Sequence, residues 1–212
     1  FLERKMKGSK ILKKIFKYIL IVVFSLISII YIGLNIYVKS KEIKVDSNEL
    51  LNATTVYLSN EQIKIASYVL NKDKNPKFHN YFFLINDAFS FRNHVALLTA
   101  TNYIAENSDT LKYESIELQI IDLATKRYIM KNIDYRICYN YLFSKFYFGK
   151  ELYGLQNASN FYYSKDYKNL TQKEFISLCL LLNNPTFYDF TDENNKKRCA
   201  EKINEIYSNI VD

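Results

Sequence analysis

Several side chains between residues 86 and 136 can take part in acid–base chemistry. The carboxylates of Asp87, Glu117 and Asp134 can accept a proton, whereas the amide of Asn86 cannot at any ordinary pH. A positioned general base typically accelerates a reaction about 10²–10⁴-fold. Each acid also has a simpler interpretation. Asp87 fits a surface or capping position in a short loop, and Glu117 and Asp134 are predicted on helices, where they can face water instead of a cleft.

Three basic side chains near these acids are candidates for binding. Lys131 and Arg136 can hold a phosphate-type anion. On a helix surface, however, solvated charge is the more common role of such residues. His94 can contact a substrate, although a histidine in this setting is more often a structural or surface residue.

Glycine is rare in this chain, and its placement singles out one turn. The four glycines are Gly8 and Gly33 in the N-terminal segment, and Gly149 and Gly154 further on. A chain that uses glycine so seldom is expected to place it where a positive φ or a close backbone approach excludes other residues. We therefore predict that Gly149 and Gly154 shape a special turn rather than bind a ligand.

The net charge of +7 belongs to the N-terminal segment. Residues 1–45 contain ten Lys or Arg and two acids, whereas residues 46–212 contain 19 bases and 20 acids. The larger part of the chain therefore has no general attraction for nucleic acid, which argues against a DNA- or RNA-binding protein. The three cysteines lack the spacing of a metal site, and Cys179 is predicted to be a small core residue.

Aromatic residues are abundant, with 19 Tyr and 15 Phe. Lys, Asn and Ile are abundant as well, and this combination is expected when the coding DNA is rich in A and T. The scattered aromatic residues therefore do not by themselves predict a platform for sugars or bases.

Residues 18–38, YILIVVFSLISIIYIGLNIYV, are uncharged and apolar. At about 1.5 Å per residue they span roughly 30 Å, the thickness of the hydrocarbon core of a bilayer. No small-residue cleavage site follows, so we expect a retained transmembrane helix rather than a signal peptide. Basic residues are concentrated before this helix, which places the N-terminus in the cytoplasm and residues 39–212 outside. Met6 is a candidate initiator; otherwise the chain is a fragment.

The predicted organisation has four parts: a basic cytoplasmic tail (1–17), the transmembrane helix (18–38), a juxtamembrane linker (39–58) and an outer domain (59–212). Two helix-capping boxes, Ser59–Gln62 and Thr171–Glu174, precede apolar-periodic stretches within the outer domain. No alternating strand pattern is evident. The outer domain is therefore predicted to be all-α.

The C-terminal half carries motifs in an order and spacing that resemble the family-51 peptidoglycan glycosyltransferases. These membrane-anchored, lysozyme-like domains polymerise lipid II, either as monofunctional transglycosylases or as the N-terminal module of class A penicillin-binding proteins. The resemblance covers about 60 residues. The matching positions are Tyr141-Leu142, with Phe143 in place of asparagine, Phe148-Gly149, Tyr153-Gly154, Ala158, Tyr162-Tyr163-Ser164-Lys165, Leu170-Thr171, Glu174, Pro185, Tyr188 and Arg198.

The N-terminal half of the outer domain resembles the catalytic motifs of the family less well. The first family motif, Glu-Asp followed by Phe and His, is best matched by residues 85–94, where Asn86 stands in place of the glutamate. The second motif ends like residues 115–119, without the family's glycines. The third motif, Arg-Lys followed by Glu, resembles residues 130–134 if the chain has a deletion before Tyr141.

An alternative register places the first motif near Asn71 and the third at residues 113–117; in both registers an asparagine replaces the first glutamate. The resemblance implies that this glutamate is the base that takes the proton of the acceptor hydroxyl. It also implies cationic side chains, with or without a divalent cation such as Mg²⁺, at the lipid pyrophosphate. The expected site residues are Asp87, Glu117 and Asp134 as acids beside Asn86; His94, Gln119, Lys131 and Arg136 as substrate contacts; and Phe148, Gly149, Tyr153, Gly154, Lys165 and Pro185 as the structural motif.

Three functions are compatible with this sequence. The first is a degenerate glycosyltransferase-like protein of the bacterial cytoplasmic membrane, which binds lipid II or cell-wall synthesis proteins with weak or no catalysis. The second is an active, divergent transglycosylase that uses Asp87 as its base. The third is an exported helical interaction domain without enzymatic activity. The expected fold for the first two is a lysozyme-like helical domain behind one N-terminal transmembrane helix.

Overall fold

The computed structural model describes residues 2–78, 94–107 and 115–211. Over these ranges the chain folds into α-helices, one short 3₁₀ helix and turns, and the one β-type pairing described is an isolated bridge between Tyr147 and Tyr153. The chain divides into two compact units, Phe1–Lys41 and Glu42–Asp212. The all-α prediction is therefore confirmed.

The first unit is a single helix, α1, Leu2–Ser40. Its segment Lys14–Ser40 is long and apolar enough to cross a membrane, judged by length and composition. Large apolar side chains along it, such as Phe24 and Ile29, are more than half exposed. These properties are compatible with a membrane anchor.

The second unit is an assembly of short helices around one core. The helices described are α2 (Ser47–Asn52), α3 (Asn60–Asn71), α4 (His94–Asn107), α5 (Ser115–Asn132), α6 (Tyr135–Lys145), α7 (Leu155–Tyr163), η1 (the 3₁₀ helix Tyr167–Asn169), α8 (Gln172–Asn183) and α9 (Glu193–Val211). Helix α3 packs on α8, α8 packs on α9, and α4 packs on both α5 and α6.

The two predicted capping boxes form. Ser59 accepts a hydrogen bond from the backbone N–H of Gln62, whose side chain accepts one from the N–H of Ser59. Thr171 and Glu174 make the same reciprocal pair at the start of α8. Each box satisfies two backbone N–H groups that have no partner within the helix, so these helices begin where the sequence predicts.

Helix α8 forms the centre of the core. Its residues Phe175–Leu181 are all buried, including Cys179 as predicted. The rings of Phe143 and Phe175 stack with their centroids 5.6 Å apart. On α9, Cys199, Ile206 and Ile210 are buried and form one apolar face.

The boundary between linker and domain differs from the sequence-based expectation. Residues 39–58 are predicted to be a linker, but the chain is part of the second compact unit from Glu42 onward. Asp46 caps α2, and Val45, Leu50 and Val56 are at most 3% exposed within the core. These apolar residues lie in a polar stretch and show neither helical nor strand periodicity, so their burial was not predicted.

Candidate functional site

A group of polar side chains lies along the packed pair of helices α4 and α5. His94 is the first residue of α4, and Thr101 lies two turns further along the same helix. Asp122 and Lys126 are four residues apart on α5 and therefore share one face. Lys126 is only 2% exposed, which is unusual for a lysine. We call His94, Thr101, Asp122 and Lys126 the α4–α5 polar cluster.

Burial and charge perturb two members of this cluster. Burial lowers the pKa of His94, and the nearby charge of Lys126 lowers it further, so the imidazole is neutral at pH 7. Burial raises the pKa of Asp122, and a hydrogen bond with the Thr101 side chain opposes this effect only in part. Perturbed acids and bases of this kind are concentrated at functional sites, although structural networks also produce them.

The carboxylate of Asp122 has an unsatisfied acceptor. Its Oδ1 is buried and, within the described ranges, is the one buried side-chain polar atom that lacks a hydrogen-bond partner. A buried acceptor without a partner costs about 1–3 kcal/mol. Such atoms are rare in native proteins and call for a structural or functional explanation. Asp122 is therefore the carboxylate that the structure marks for chemistry or ligand binding.

Replacing Asp122 by Asn is expected to stabilise the protein at neutral pH. Because the pKa of Asp122 is raised in the folded state, its stability contribution is lost as pH rises from the ordinary value of 3.8 through the raised folded pKa. An uncharged amide avoids this loss. Thermal unfolding of the full chain in detergent should show a higher Tm for Asp122→Asn at pH 7 and little difference from the unsubstituted protein near pH 3.

The control for this prediction is Glu201→Gln, which removes an exposed acid from α9 and no buried polar atom that lacks a hydrogen-bond partner. It should change the Tm little at either pH. A lower Tm for Asp122→Asn at pH 7 would show that the carboxylate is a satisfied structural group.

The structure describes two of the three candidate acids predicted from the sequence, Glu117 and Asp134. Asn86 and Asp87 lie outside the described residues. Glu117 is partly buried in the first turn of α5. Asp134 is the N-cap of α6, and its Oδ1 accepts the backbone N–H of Arg136 at 2.8 Å. Asp134 thus caps the start of α6, whereas the sequence-based interpretation placed it within a helix, facing a cleft or water.

Three of the four expected substrate contacts are exposed. Gln119 and Lys131 lie on the solvent-facing side of α5. Arg136 is exposed on α6, and its Nε donates to the hydroxyl of Tyr135 at 3.2 Å. The fourth, His94, is the one sequence-predicted residue that the structure places in the α4–α5 polar cluster.

Asp122 and Lys126 were not predicted from the sequence. A signal for them was present, because an acid and a base four residues apart interrupt a buried stretch of α5 formed by Ile121, Ala124, Thr125 and Ile129. Charged residues on the apolar face of a helix are almost never buried unless they are paired or functional. This spacing matches no motif of the family, so residue types alone did not single it out.

The two outer glycines adopt the backbone that the sequence predicts. Gly149 has φ +83° and Gly154 has φ +81°. The loop between them is closed by hydrogen bonds from Phe148 N–H to Leu152 O and from Gly154 N–H to Phe146 O, both 2.8 Å long. A Cβ on Gly154 would lie 2.8 Å from the carbonyl oxygen of Ser144, closer than real contacts allow. These glycines therefore form a tight turn.

The remaining motif residues surround this turn. Phe148 is fully buried and Tyr153 is exposed, while the Cβ of Pro185 lies 3.5 Å from the position that a Cβ on Gly149 would take. The Nζ of Lys165 forms an ion pair with Oε1 of Glu174 at 2.7 Å. Burial alone would raise the pKa of Glu174, but the hydrogen bonds from Lys165 and Thr171 outweigh burial and lower it.

A metal site is not evident in the described part of the chain. There, no three His, Cys, Asp or Glu side chains lie close enough together to hold an ion. The Mg²⁺ that the family resemblance implies therefore has no protein ligand set in these ranges, and we assign no step to it.

Comparison with known proteins shows which family the C-terminal part of the chain resembles. Residues 120–211 match the family model described as Transglycosylase. The chain is 30% identical over 91 residues to penicillin-binding protein 4 of Bacillus subtilis, covering 43% of this chain and 15% of that protein. It is 36% identical over 62 residues to the biosynthetic peptidoglycan transglycosylase of Acinetobacter baumannii, covering 29% of this chain and 28% of that protein.

The family match lies in the C-terminal half, which contains the glycine turn and the core helix α8. The chain aligns with less than a third of the length of either relative. The helices that the structure describes in the second unit agree with this match. Residues 120–211 are therefore similar to a transglycosylase domain, in line with the resemblance to the family-51 peptidoglycan glycosyltransferases.

Proposed function

We propose that this protein is a membrane-tethered, peptidoglycan glycosyltransferase-like protein that binds lipid II and polymerises it weakly or not at all. The observation that carries the proposal is the match of residues 120–211 to the transglycosylase family. The apolar helix at Lys14–Ser40 supports a tether. The concentration of basic residues before this helix favours a cytoplasmic N-terminus and a domain outside the cytoplasmic membrane.

The proposal of weak catalysis follows from the chemistry of the reaction. The acceptor hydroxyl attacks the anomeric carbon, its proton passes to a base, and the lipid pyrophosphate leaves. Asn86 cannot serve as that base because an amide does not accept a proton near neutral pH. Asp134 already accepts a backbone hydrogen bond as a helix cap. Loss of general-base assistance typically costs about 10²–10⁴-fold in rate.

An active, divergent transglycosylase is the second candidate. In this alternative Asp87 is the base, as its position beside Asn86 in the sequence suggests. The observation that favours it is Asp122, a partly buried residue whose carboxylate has a raised pKa and one buried oxygen, Oδ1, without a hydrogen-bond partner. A raised pKa favours the protonated form of a carboxyl group, which is the form that can donate a proton.

A lipid II polymerisation assay separates the candidates. The full chain, solubilised in detergent, would be incubated with fluorescent lipid II, and glycan strands would be resolved by gel electrophoresis. The Acinetobacter transglycosylase serves as the positive control. We expect lipid II binding with strand formation at least about 100-fold slower than in the control, in line with the loss of a general base.

Robust strand formation would overturn the degenerate function in favour of the active one. In that case Asp87→Asn, Glu117→Gln and Asp122→Asn, each compared with the unsubstituted chain, would identify the acids that take part. Absence of both lipid II binding and polymerisation would support the third candidate, a helical interaction domain without enzymatic activity.

A further inference from the structure

An exposed group of aromatic side chains surrounds the glycine turn. In the described part of the second unit, seven large apolar or aromatic side chains are exposed, and four of them lie here. They are Tyr147 (41% exposed), Tyr153 (60%), Phe161 (56%) and Phe187 (44%). We call these four residues the aromatic patch.

Ring contacts and the turn itself connect the segments that carry the patch. The rings of Tyr147 and Tyr153 lie 5.3 Å apart across the turn. Tyr153 precedes α7, and its carbonyl accepts a hydrogen bond from Nδ2 of Asn157 at 2.8 Å; Phe161 lies one helical turn beyond Asn157 on the same side of α7. Phe161 contacts Tyr162, whose hydroxyl donates to the carbonyl of Phe148 at 3.1 Å.

The third segment is the turn after α8. The ring of Phe190 lies 5.0 Å from that of Tyr162, and Pro185 comes close to Gly149. Phe187, between these two residues, lies under the guanidinium of Arg198, whose Cζ is 3.6 Å from the ring centroid. The segments that carry the patch thus contact one another through the half-buried rings of Tyr162 and Phe190.

Two basic side chains beside the patch have partners. Lys150 forms an ion pair with Asp189 at 3.6 Å, and Arg198 lies over the ring of Phe187. An occupant of this surface would therefore be recognised through apolar and aromatic contact rather than net charge. Contiguous exposed patches of this kind typically mark a protein, ligand or membrane contact.

We propose that the aromatic patch inserts into the interfacial layer of the phospholipid bilayer to which the chain is tethered. Tyrosine and phenylalanine rings favour this layer, where an apolar ring and a polar hydroxyl are both accommodated. The second unit begins at Glu42, immediately after α1 ends at Ser40. Such a short connection keeps the domain at a high effective concentration near the bilayer, so even a weak contact is populated.

This inference rests on the proposed membrane tether. Insertion of the aromatic patch would hold the domain in a preferred orientation relative to a lipid-linked substrate, which cannot leave the membrane. A carbohydrate chain is the competing occupant, because sugar rings also stack on exposed aromatic residues. The experiment therefore has to report on lipid contact directly.

The chain contains no tryptophan, so a single introduced tryptophan reports its own position. The full-length variants Tyr153→Trp and Phe161→Trp would be reconstituted in vesicles of phosphatidylcholine and phosphatidylglycerol carrying brominated acyl chains, which quench tryptophan on contact. Two controls are available: Tyr57→Trp, at an exposed site outside the patch, and Phe24→Trp, in the apolar helix.

We expect quenching and a blue shift for Tyr153→Trp and Phe161→Trp, but not for Tyr57→Trp. Because the contact is apolar, quenching should persist at high salt.

Quenching of Phe24→Trp alone would overturn the patch proposal and leave the tether intact. Absence of quenching at every position would overturn the tether and the patch together. A blue shift with soluble peptidoglycan fragments, without quenching by lipid, would assign the patch to carbohydrate and overturn the lipid contact.

Discussion

Replacing Gly154 by Ala is expected to destabilise the second unit by more than about 2 kcal/mol, because two costs are added together. The backbone at Gly154 has φ +81° and ψ 142°, a region that is open almost solely to glycine. The new Cβ would also lie 2.8 Å from the backbone carbonyl oxygen of Ser144, which cannot move aside easily. At about 2–4 °C per kcal/mol, thermal unfolding should show a Tm lowered by more than about 5 °C.

Gly149→Ala is the matched control for this substitution. Its φ of +83° is almost the same, but the new Cβ would meet only side-chain atoms of Pro185 and Tyr162, each at 3.5 Å. The control therefore carries the conformational strain without the backbone clash, and we expect about 1–2 kcal/mol of destabilisation. Equal losses in the two variants would show that the contact with Ser144 contributes nothing.

Asn71→Ala is expected to cost about 2–4 kcal/mol, since it leaves the N–H of Val95 without a partner and removes one hydrogen bond of the Tyr139 hydroxyl, which also bonds to Ser67. Asn71 is 1% exposed at the end of α3. Its Nδ2 donates to the hydroxyl of the fully buried Tyr139 at 2.7 Å, and its Oδ1 accepts the backbone N–H of Val95 at 3.2 Å. The N–H of Val95 is in the first turn of α4, where no carbonyl within the helix can accept it.

Asn71 thus joins three helices and fixes the start of α4, which carries His94 of the α4–α5 polar cluster. Tyr139→Phe provides the control because it removes one of the two hydrogen bonds and leaves the bond to Val95 in place. Tyr139→Phe should lower the free energy of unfolding less than Asn71→Ala does. In a double-mutant cycle, Asn71→Ala should cost less in the Tyr139→Phe background than alone. An unchanged Tm for Asn71→Ala would contradict this role.

Local features of this chain were predictable from sequence because they depend on neighbouring residues. The capping boxes at Ser59–Gln62 and Thr171–Glu174 place their donors and acceptors within one turn. The positive φ at Gly149 and Gly154 was predicted because the chain contains few glycines elsewhere. Each of these predictions is confirmed, and each concerns a backbone conformation rather than an activity.

The site could not be predicted in the same way, because its members come from separate elements. The packing of α4 on α5 brings His94 near Lys126 and brings Asp122 near Thr101. The two residues of each pair are distant in sequence. The role of Asp134 as a helix cap also became clear only from its hydrogen bond to Arg136. A sequence motif records only residue types. Burial, which shifts the pKa of a charged side chain, depends on the folded structure.

Exposure of the aromatic patch is likewise a property of the folded chain. Among 34 Tyr and Phe residues, composition cannot distinguish a ring such as Phe143, which is fully buried, from Phe161, which is more than half exposed. The sequence alone established helices, turns, an apolar N-terminal helix and a family resemblance, all of which arise from short-range patterns. Tertiary packing selected which carboxylate is buried and which rings face solvent, because solvent exposure depends on contacts between residues far apart in the chain.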